Sequence, residues 1–152
     1  MIPIKTRSEI DKMRKAGRIL AGLMEELARM VGPGVATIDL EKASVAAMSK
    51  AGVCSAFKGY RGYPANICVS VNEEVVHGIP GPRRLKEGDI VSIDIGIEAD
   101  GFFVDMANTF SVGKIGEKEQ GLIDVTKASL DEAIRMLKPG NCLSDVSGAV
   151  QQ

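Results

Sequence analysis

GDIVSIDIGIEADGFFVDMANTF, residues 88–110, is the stretch that decides the predicted fold. It contains two runs rich in β-branched and aromatic residues, and Ala99-Asp100-Gly101 between them is typical of a tight hairpin turn. Each run carries one aspartate, Asp94 in the first and Asp105 in the second. A carboxylate among apolar residues is costly to bury unless a cation or a hydrogen-bond donor meets it. The two aspartates are therefore the strongest candidates for chemistry.

The length of the hairpin turn decides whether the two aspartates share a face. The predicted strands span about Asp89–Ile97 and Phe102–Val112. A two-residue turn would place the aspartates diagonally on one face of the antiparallel pair. A four-residue loop would place them directly opposite each other, and a three-residue loop would place them on opposite faces.

A shared face would allow the two carboxylates to converge on a pair of cations roughly 3.5–4 Å apart, as in two-metal hydrolases. Hard divalent cations prefer about six oxygen ligands, and a mixed set of imidazole and carboxylate suits zinc, manganese or ferrous iron. Two aspartates and one histidine are too few ligands for a complete metal centre. The alternative is that Asp94 or Asp105 simply faces solvent from an edge strand. Three further acidic residues are expected in turn-like, exposed positions: Glu73, Glu74 and Glu98.

The only histidine, His77, lies in a segment rich in glycine and proline that spans residues 72–82. Such a histidine is most often simply exposed. The functional alternative is a hydrogen-bond donor or proton carrier, because the pKa of imidazole lies near neutrality. Four other side chains are candidates for a small apolar pocket, although ordinary core positions would explain them equally: Phe57, Tyr60, Tyr63 and Cys68.

The composition narrows the function classes. The 152 residues are enough for one domain, and a net charge of −1 gives no sign of a polyanion-binding surface. Aromatic residues make up only 4%, which argues against base stacking, so no nucleic-acid partner is expected. Three widely spaced cysteines are typical of reduced thiols. No signal peptide or run of 18 apolar residues is present, so we expect a cytoplasmic protein with no membrane partner.

Helical periodicity predicts three long helices around the hairpin. The first follows a capping box formed by Ser8 and Asp11, and Gly32-Pro33-Gly34 ends it. Thr37 is the predicted cap of the second helix, which Gly52 closes. The third spans Glu117–Leu137. Two further strands are predicted between the helices and the hairpin, at Val53–Phe57 and Asn66–Val71.

The last stretch of the sequence is incomplete as a helix. Ser144 is a plausible N-cap, but the amphipathic pattern stops after about two turns, which is marginal for a helix. A natural helix can end at a terminus in this way. We favour the alternative, a fold whose sequence is cut before completion.

Two segments resemble the type I methionine aminopeptidases of the pita-bread metallopeptidase family. They are GYPANICVSVNEEVVHGIP, residues 62–80, and LKEGDIVSIDIG, residues 85–96, followed by the strand that carries Asp105. The resemblance extends over the whole chain and is most specific for residues 59–112. It implies an α+β fold in which an antiparallel sheet, with the metal-site hairpin, packs against two or three long helices. Residues 1–152 would form a single truncated domain, the N-terminal half of a pita-bread catalytic domain.

The resemblance implies metal-dependent removal of N-terminal methionine from nascent peptides. Two divalent ions (Co, Mn, Fe or Zn) are implied, with Asp94 chelating one of them and Asp105 bridging both. His77 is implied to contact the substrate and to assist proton transfer. Tyr60, Tyr63 and Cys68 match positions around the methionine pocket, and Phe57 stands where many bacterial members have a cysteine.

Two departures from the family pattern leave alternatives open. The family's other ligands, one histidine and two glutamates, and a second substrate-contacting histidine lie in a second half that this sequence lacks. The chain alone is therefore expected to be inactive or very weak, and a non-catalytic half-fold that forms a homodimer, or needs its missing half, is an alternative. The sequence Asp105-Met-Ala also leans towards prolidase-like Xaa-Pro peptidases of the same fold.

Overall fold

The computed structural model describes residues 3–151, which fall into two compact units that divide between Lys114 and Ile115. The first unit contains helices α1 (Arg7–Ala28) and α2 (Thr37–Ala51) and strands β1 (Cys54–Ser55), β2 (Ile67–Val71), β3 (Ile90–Ala99) and β4 (Phe102–Ser111). The second contains helices α3 (Glu117–Met136) and α4 (Leu143–Gln151). None of these helices has both the length and the apolarity that a membrane crossing requires.

The hairpin of β3 and β4 has a two-residue turn, one of the three lengths left open by the sequence. Ala99 pairs with Phe102, and the turn residues Asp100 and Gly101 have φ angles of 52° and 79°. Both residues have a left-handed backbone conformation. A tight hairpin turn requires this conformation in order to match the twist of the strands. Strand β3 is the centre of an antiparallel sheet, with β4 along one edge and β1 and β2 along the other. The turn therefore fixes the register of the two longest strands.

Alternation along β3 separates the core from the candidate site. Val91, Ile93, Ile95 and Ile97 are completely buried. They join the apolar faces of α1 and α2 in one cluster. Complete burial of each such side chain contributes roughly 1.5–3 kcal/mol to stability. The intervening residues, which include Asp94, point to the opposite face of the sheet because side chains alternate along a strand.

The N-cap of the first helix is Thr6, two residues before the predicted cap. Thr6 and Glu9 form the capping box: Thr6 N–H donates to Glu9 Oε2 at 2.7 Å, and Glu9 N–H donates to Thr6 Oγ1 at 3.3 Å. The prediction of Ser8 and Asp11 was wrong, because Ser8 already lies inside the helix and Asp11 pairs with Arg14. The helix also ends at Ala28, before the predicted stop.

Thr37 was predicted to cap α2, but the structure shows it as the first residue of the helix. Ala36 occupies the N-cap, and the Asp39 carboxylate accepts its N–H at 3.3 Å. The Thr37 hydroxyl instead donates to the Gly81 carbonyl at 3.0 Å and accepts the Gly81 N–H at 2.9 Å. Gly52 closes the helix as predicted, with φ 68°. Thr37 therefore ties a distant loop to the helix.

The predicted strand Val53–Phe57 is shorter in the structure, where β1 contains only Cys54 and Ser55. The Ser55 hydroxyl accepts the N–H groups of Phe57 and Lys58 at 3.1 and 3.3 Å. These bonds turn the chain out of the strand. Strand β2 agrees with its prediction to within one residue.

In the second unit, α3 agrees with its prediction to within one residue. Helix α4 begins one residue before Ser144, and the Asp145 carboxylate accepts the Cys142 N–H at 2.7 Å, so Ser144 is not the N-cap. Several apolar side chains of α3 and the residue after it are more than half exposed: Leu122, Val125, Leu130, Ile134 and Leu137.

Candidate metal and substrate site

The two aspartates, Asp94 and Asp105, lie diagonally on the face of the hairpin opposite the apolar core, which we call the aspartate face. Asp94 is opposite Ala107, and Asp105 is opposite Gly96, as the two-residue turn predicts. Diagonal neighbours of this kind lie within reach of one another across the strands. Alanine and glycine are small, so neither residue presents a bulky side chain to the aspartate directly opposite it.

The environment of Asp94 disfavours its negative charge. The side chain is half-buried, and its Oδ1 atom has no hydrogen-bond partner among residues 3–151. Burial raises the pKa of Asp94, and the negative charge of Asp105 raises it further, while the charge of His77 opposes the rise. A buried polar atom without a partner requires an explanation such as an ion, and a cation beside Asp94 would supply one.

The ligands gathered around the two aspartates are few. No cluster of three or more histidine, cysteine, aspartate or glutamate side chains suited to a metal occurs within the part of the chain that the structure describes. Glu98 lies on the same face of the sheet as Asp94. It is exposed, as predicted, but it belongs to strand β3 and not to the predicted turn. Glu74 accepts the Val71 N–H at 2.9 Å and pairs with Arg83. The two aspartates therefore fit part of a divalent-metal site.

Two of the predicted pocket residues meet beside Asp94. Cys68 lies directly opposite Asp94 in the sheet and is buried. The Tyr63 hydroxyl lies 3.1 Å from the carbonyl oxygen of Ile67, the residue before Cys68, and 3.0 Å from that of Gly78. Burial raises the pKa of both the Tyr63 hydroxyl and the Cys68 thiol. Both groups therefore stay neutral at physiological pH.

Phe57 borders the site from the other side, and Tyr60 is open to solvent. A Cβ atom on Gly96 would lie 2.5 Å from Phe57 Cε1 and 3.2 Å from Asp105 Oδ1, so the ring occupies the space that a side chain at Gly96 would need. Tyr60 is 65% exposed, and its ring centroid lies 5.5 Å from the Arg61 guanidinium. The structure therefore brings Phe57 to the aspartates but does not enclose Tyr60.

We expect Gly96→Ala to destabilise the protein by about 1–2 kcal/mol, because overpacking forces neighbouring side chains out of position. The new methyl group would displace the Phe57 ring. In a Phe57→Ala background the same substitution should cost much less, which a double-mutant cycle of urea unfolding would measure. Equal costs in the two backgrounds would show that the ring does not fill this space.

His77 lies in the irregular segment that follows β2. It is exposed, and its backbone is left-handed, with φ 60°. The next residue, Gly78, is joined to β2, because Val69 N–H donates to its carbonyl at 2.9 Å. This bond brings the histidine to the strand that carries Cys68.

Sequence reasoning missed Glu41, which holds the start of β2. Its carboxylate accepts the backbone N–H of Asn66 at 2.9 and 3.1 Å, the Asn66 side-chain amide at 2.6 Å and the Ile67 N–H at 3.2 Å. A single glutamate in a predicted helix gives no signal of such a role. Glu41 thereby fixes the strand that carries Cys68 and approaches Asp94.

Glu41→Ala is expected to lower the free energy of unfolding by about 2 kcal/mol, because it leaves partly buried donors without an acceptor. Chemical denaturation would measure the loss. Glu26→Ala is a suitable control, because Glu26 is an exposed helical glutamate and its removal should change stability by less than about 0.5 kcal/mol. Equal effects of the two substitutions would contradict an anchoring role.

The model of metallopeptidase family M24 matches residues 11–152. The chain belongs to metallopeptidase family M24. It is 47% identical over 151 residues to methionine aminopeptidase 1 of Bacillus subtilis, a match that covers 99% of this chain and 61% of that protein. The chain therefore spans about three fifths of the length of this curated relative.

Solved structures of two other aminopeptidases have the same fold. A crystal structure of methionine aminopeptidase from Thermotoga maritima matches with a TM-score of 0.96 and 47% identity, over 99% of this chain and 61% of that one. A structure of a Glu383Ala variant of Escherichia coli aminopeptidase P matches with a TM-score of 0.83 and 27% identity, over 96% and 32%. These matches confirm the predicted resemblance and the predicted pita-bread fold.

Proposed function

We propose that this chain is the N-terminal portion of a metal-dependent aminopeptidase that removes methionine from the N-termini of nascent peptides. The observation that carries the proposal is the buried, unpartnered oxygen of Asp94 beside Asp105 on one face of the hairpin. The 47% identity to a methionine aminopeptidase over nearly the whole chain supports the choice of substrate. A cytoplasmic location, predicted from the sequence, agrees with this activity.

In this proposal Asp94 and Asp105 would hold two divalent ions (Co, Mn, Fe or Zn), with Asp94 as a chelating ligand of one ion and Asp105 as a shared ligand. When bound, such ions polarise the scissile carbonyl and lower the pKa of a water molecule. The chain's own residues position the substrate: His77 contacts it and assists proton transfer. Four side chains line the pocket for the methionine side chain: Phe57, Tyr60, Tyr63 and Cys68.

Two carboxylates provide fewer oxygens than the roughly six that hard divalent ions prefer. We therefore propose that residues 1–152, as a single truncated domain, bind metal loosely and turn over little substrate. The missing ligands would come from a portion equivalent to the part of the relatives that this chain does not cover. Such a portion would complete both the metal centre and the substrate cleft.

A complementation assay tests this proposal. The chain would be mixed with the segment of Bacillus subtilis methionine aminopeptidase 1 that lies outside the match, and release of methionine from a methionyl peptide would be measured with added Mn²⁺ or Co²⁺. We expect activity from the mixture, little from either part alone, and none from a mixture carrying Asp105→Ala. An associated but inactive mixture, or hydrolysis by the chain alone that Asp105→Ala abolishes, would contradict the proposal.

A prolidase-like Xaa-Pro peptidase is the alternative within this fold, and the sequence Asp105-Met-Ala favours it. The lower identity to aminopeptidase P, 27% against 47%, favours methionine removal instead. The same mixture assayed on methionyl and Xaa-Pro peptides separates the two. Faster cleavage of the Xaa-Pro series would establish the alternative.

A non-catalytic half-fold that self-associates is the second alternative. The exposed apolar side chains of α3 favour it, because large exposed apolar patches promote association. Pairing of two copies about a twofold axis would bury such a surface in both. Sedimentation measurements that show a monomer at high protein concentration would exclude it.

A further inference from the structure

The backbone of His77 is held in a conformation that it would not adopt freely. Its φ of 60° lies in the left-handed region, which is unfavourable for a residue with a side chain. Conformations of this kind persist only where the surrounding structure imposes them, and they cluster at functional sites. The contacts that impose this one lie at the next residue.

Gly78 is held through both of its backbone polar groups. Its N–H donates to Ser70 Oγ at 3.1 Å, and its carbonyl accepts the Val69 N–H at 2.9 Å. The Tyr63 hydroxyl lies 3.0 Å from the same carbonyl oxygen. A Cβ atom on Gly78 would lie only 2.3 Å from the Val69 carbonyl oxygen, so the segment rests directly on β2.

Ser70 is the side chain that completes this attachment. It is only 4% exposed, although β2 is otherwise made of apolar residues and Cys68. Because side chains alternate along a strand, Ser70 and Cys68 point to the same face, and Cys68 lies opposite Asp94. The hydroxyl therefore attaches Gly78 on the side of the sheet that carries the aspartates.

We propose that Ser70 is a positioning residue that fixes His77, through Gly78, at the edge of the aspartate face. The consequence for substrate contact rests on the role of His77 in the proposed function. The Ser70 hydroxyl takes up the N–H that follows His77, and the close contact with β2 prevents the segment from moving sideways. Loss of the hydroxyl should free the His77 backbone while leaving the sheet intact.

The test uses the fact that His77 is the only histidine of the chain. Protein labelled with ¹⁵N-histidine gives one backbone amide signal, whose relaxation reports the order of His77 directly. We expect an order parameter near ~0.85 in the wild type and below ~0.6 in Ser70→Ala. If Ser70→Ala does not fold, Ser70→Cys preserves the approximate volume and replaces the hydroxyl with a weak acceptor.

Ser92→Ala is the matched control. The Ser92 hydroxyl lies on the same face of the sheet, 2.8 Å from the Thr109 hydroxyl. Its loss should leave the order of His77 unchanged. Full order of His77 in a folded Ser70 variant, or an equal loss of order in Ser92→Ala, would overturn the proposal.

A double-mutant cycle in the complementation assay separates this inference from the proposed function. Ser70→Ala should lower kcat in the wild-type background and have little further effect in a His77→Ala background, because it acts through the histidine. Equal effects in both backgrounds would overturn the proposed route. An inactive mixture combined with the expected relaxation change would refute the proposed function while supporting the positioning of His77.

Discussion

Asp94→Asn is expected to weaken binding of Mn²⁺ by on the order of 100-fold or more, since even the loss of an outer-sphere partner costs about 10–100-fold in metal affinity. The metal-free protein should be at least as stable at neutral pH as the wild type. Burial and the charge of Asp105 disfavour the ionised form of Asp94, as the raised pKa of Asp94 indicates. A neutral amide of the same shape removes that repulsion. One substitution would therefore weaken metal binding without lowering the stability of the fold.

Titration of Mn²⁺ followed by electron paramagnetic resonance, together with urea unfolding, would measure both effects. Glu98→Gln is the matched control, because Glu98 lies on the same strand and the same face as Asp94 but is exposed. Its replacement should leave Mn²⁺ affinity within about twofold, since screened, exposed charges interact weakly. Equal losses from the two substitutions would mean that the ions bind through general negative charge.

Gly78→Ala should destabilise the protein by about 3 kcal/mol, at the upper end of the range for overpacking substitutions. The new methyl group would lie 2.3 Å from the Val69 carbonyl oxygen and 2.9 Å from the Ser70 Cα atom, and both belong to the backbone of β2. A side chain could rotate away from the new methyl group, but the backbone of β2 is held by its hydrogen bonds to β3 and cannot. We therefore expect the segment to lift from β2 and to lose its bonds to Val69 and Ser70.

Gly81→Ala is the control from the same segment. A Cβ atom there would meet nothing closer than the Ile79 carbonyl oxygen at 3.9 Å, and its bonds to Thr37 and Ile38 involve only backbone groups of Gly81. The free energy of unfolding of the Gly81→Ala protein should stay within about 0.5 kcal/mol of that of the wild type. Thermal and urea unfolding of both variants would measure the difference. A Gly78→Ala protein as stable as Gly81→Ala would show that the contact with β2 is looser than the structure has it.

The hairpin could be predicted from sequence because its determinants are local. The Asp100-Gly101 turn fixes the register, and the alternation around Asp94 places the aspartate on the face opposite the apolar core. Turn residues and the alternation of polar and apolar residues are set within a few positions, so both can be recognised from the sequence. The family resemblance then gave the aspartates their proposed roles.

The supporting contacts could not be predicted because they join distant parts of the chain. Glu41 meets residues 25 and 26 positions away, and Thr37 bonds to Gly81 across 44 positions. Ser70 looks like an ordinary strand residue until Gly78 is seen beside it. The predicted cap at Thr37 failed for the same reason, since a tertiary contact uses its hydroxyl. Such polar anchors have no periodicity and no motif.

The most direct measurement of the central claim is an anomalous difference map from crystals of this chain soaked in Mn²⁺. We predict a peak about 2–2.5 Å from carboxylate oxygens of both Asp94 and Asp105, the range of bonds between carboxylates and divalent ions. The peak should disappear in crystals of Asp94→Asn. Ordered density for both aspartates with no peak between them, or a peak that Asp94→Asn leaves unchanged, would contradict the assignment of this hairpin as a metal site.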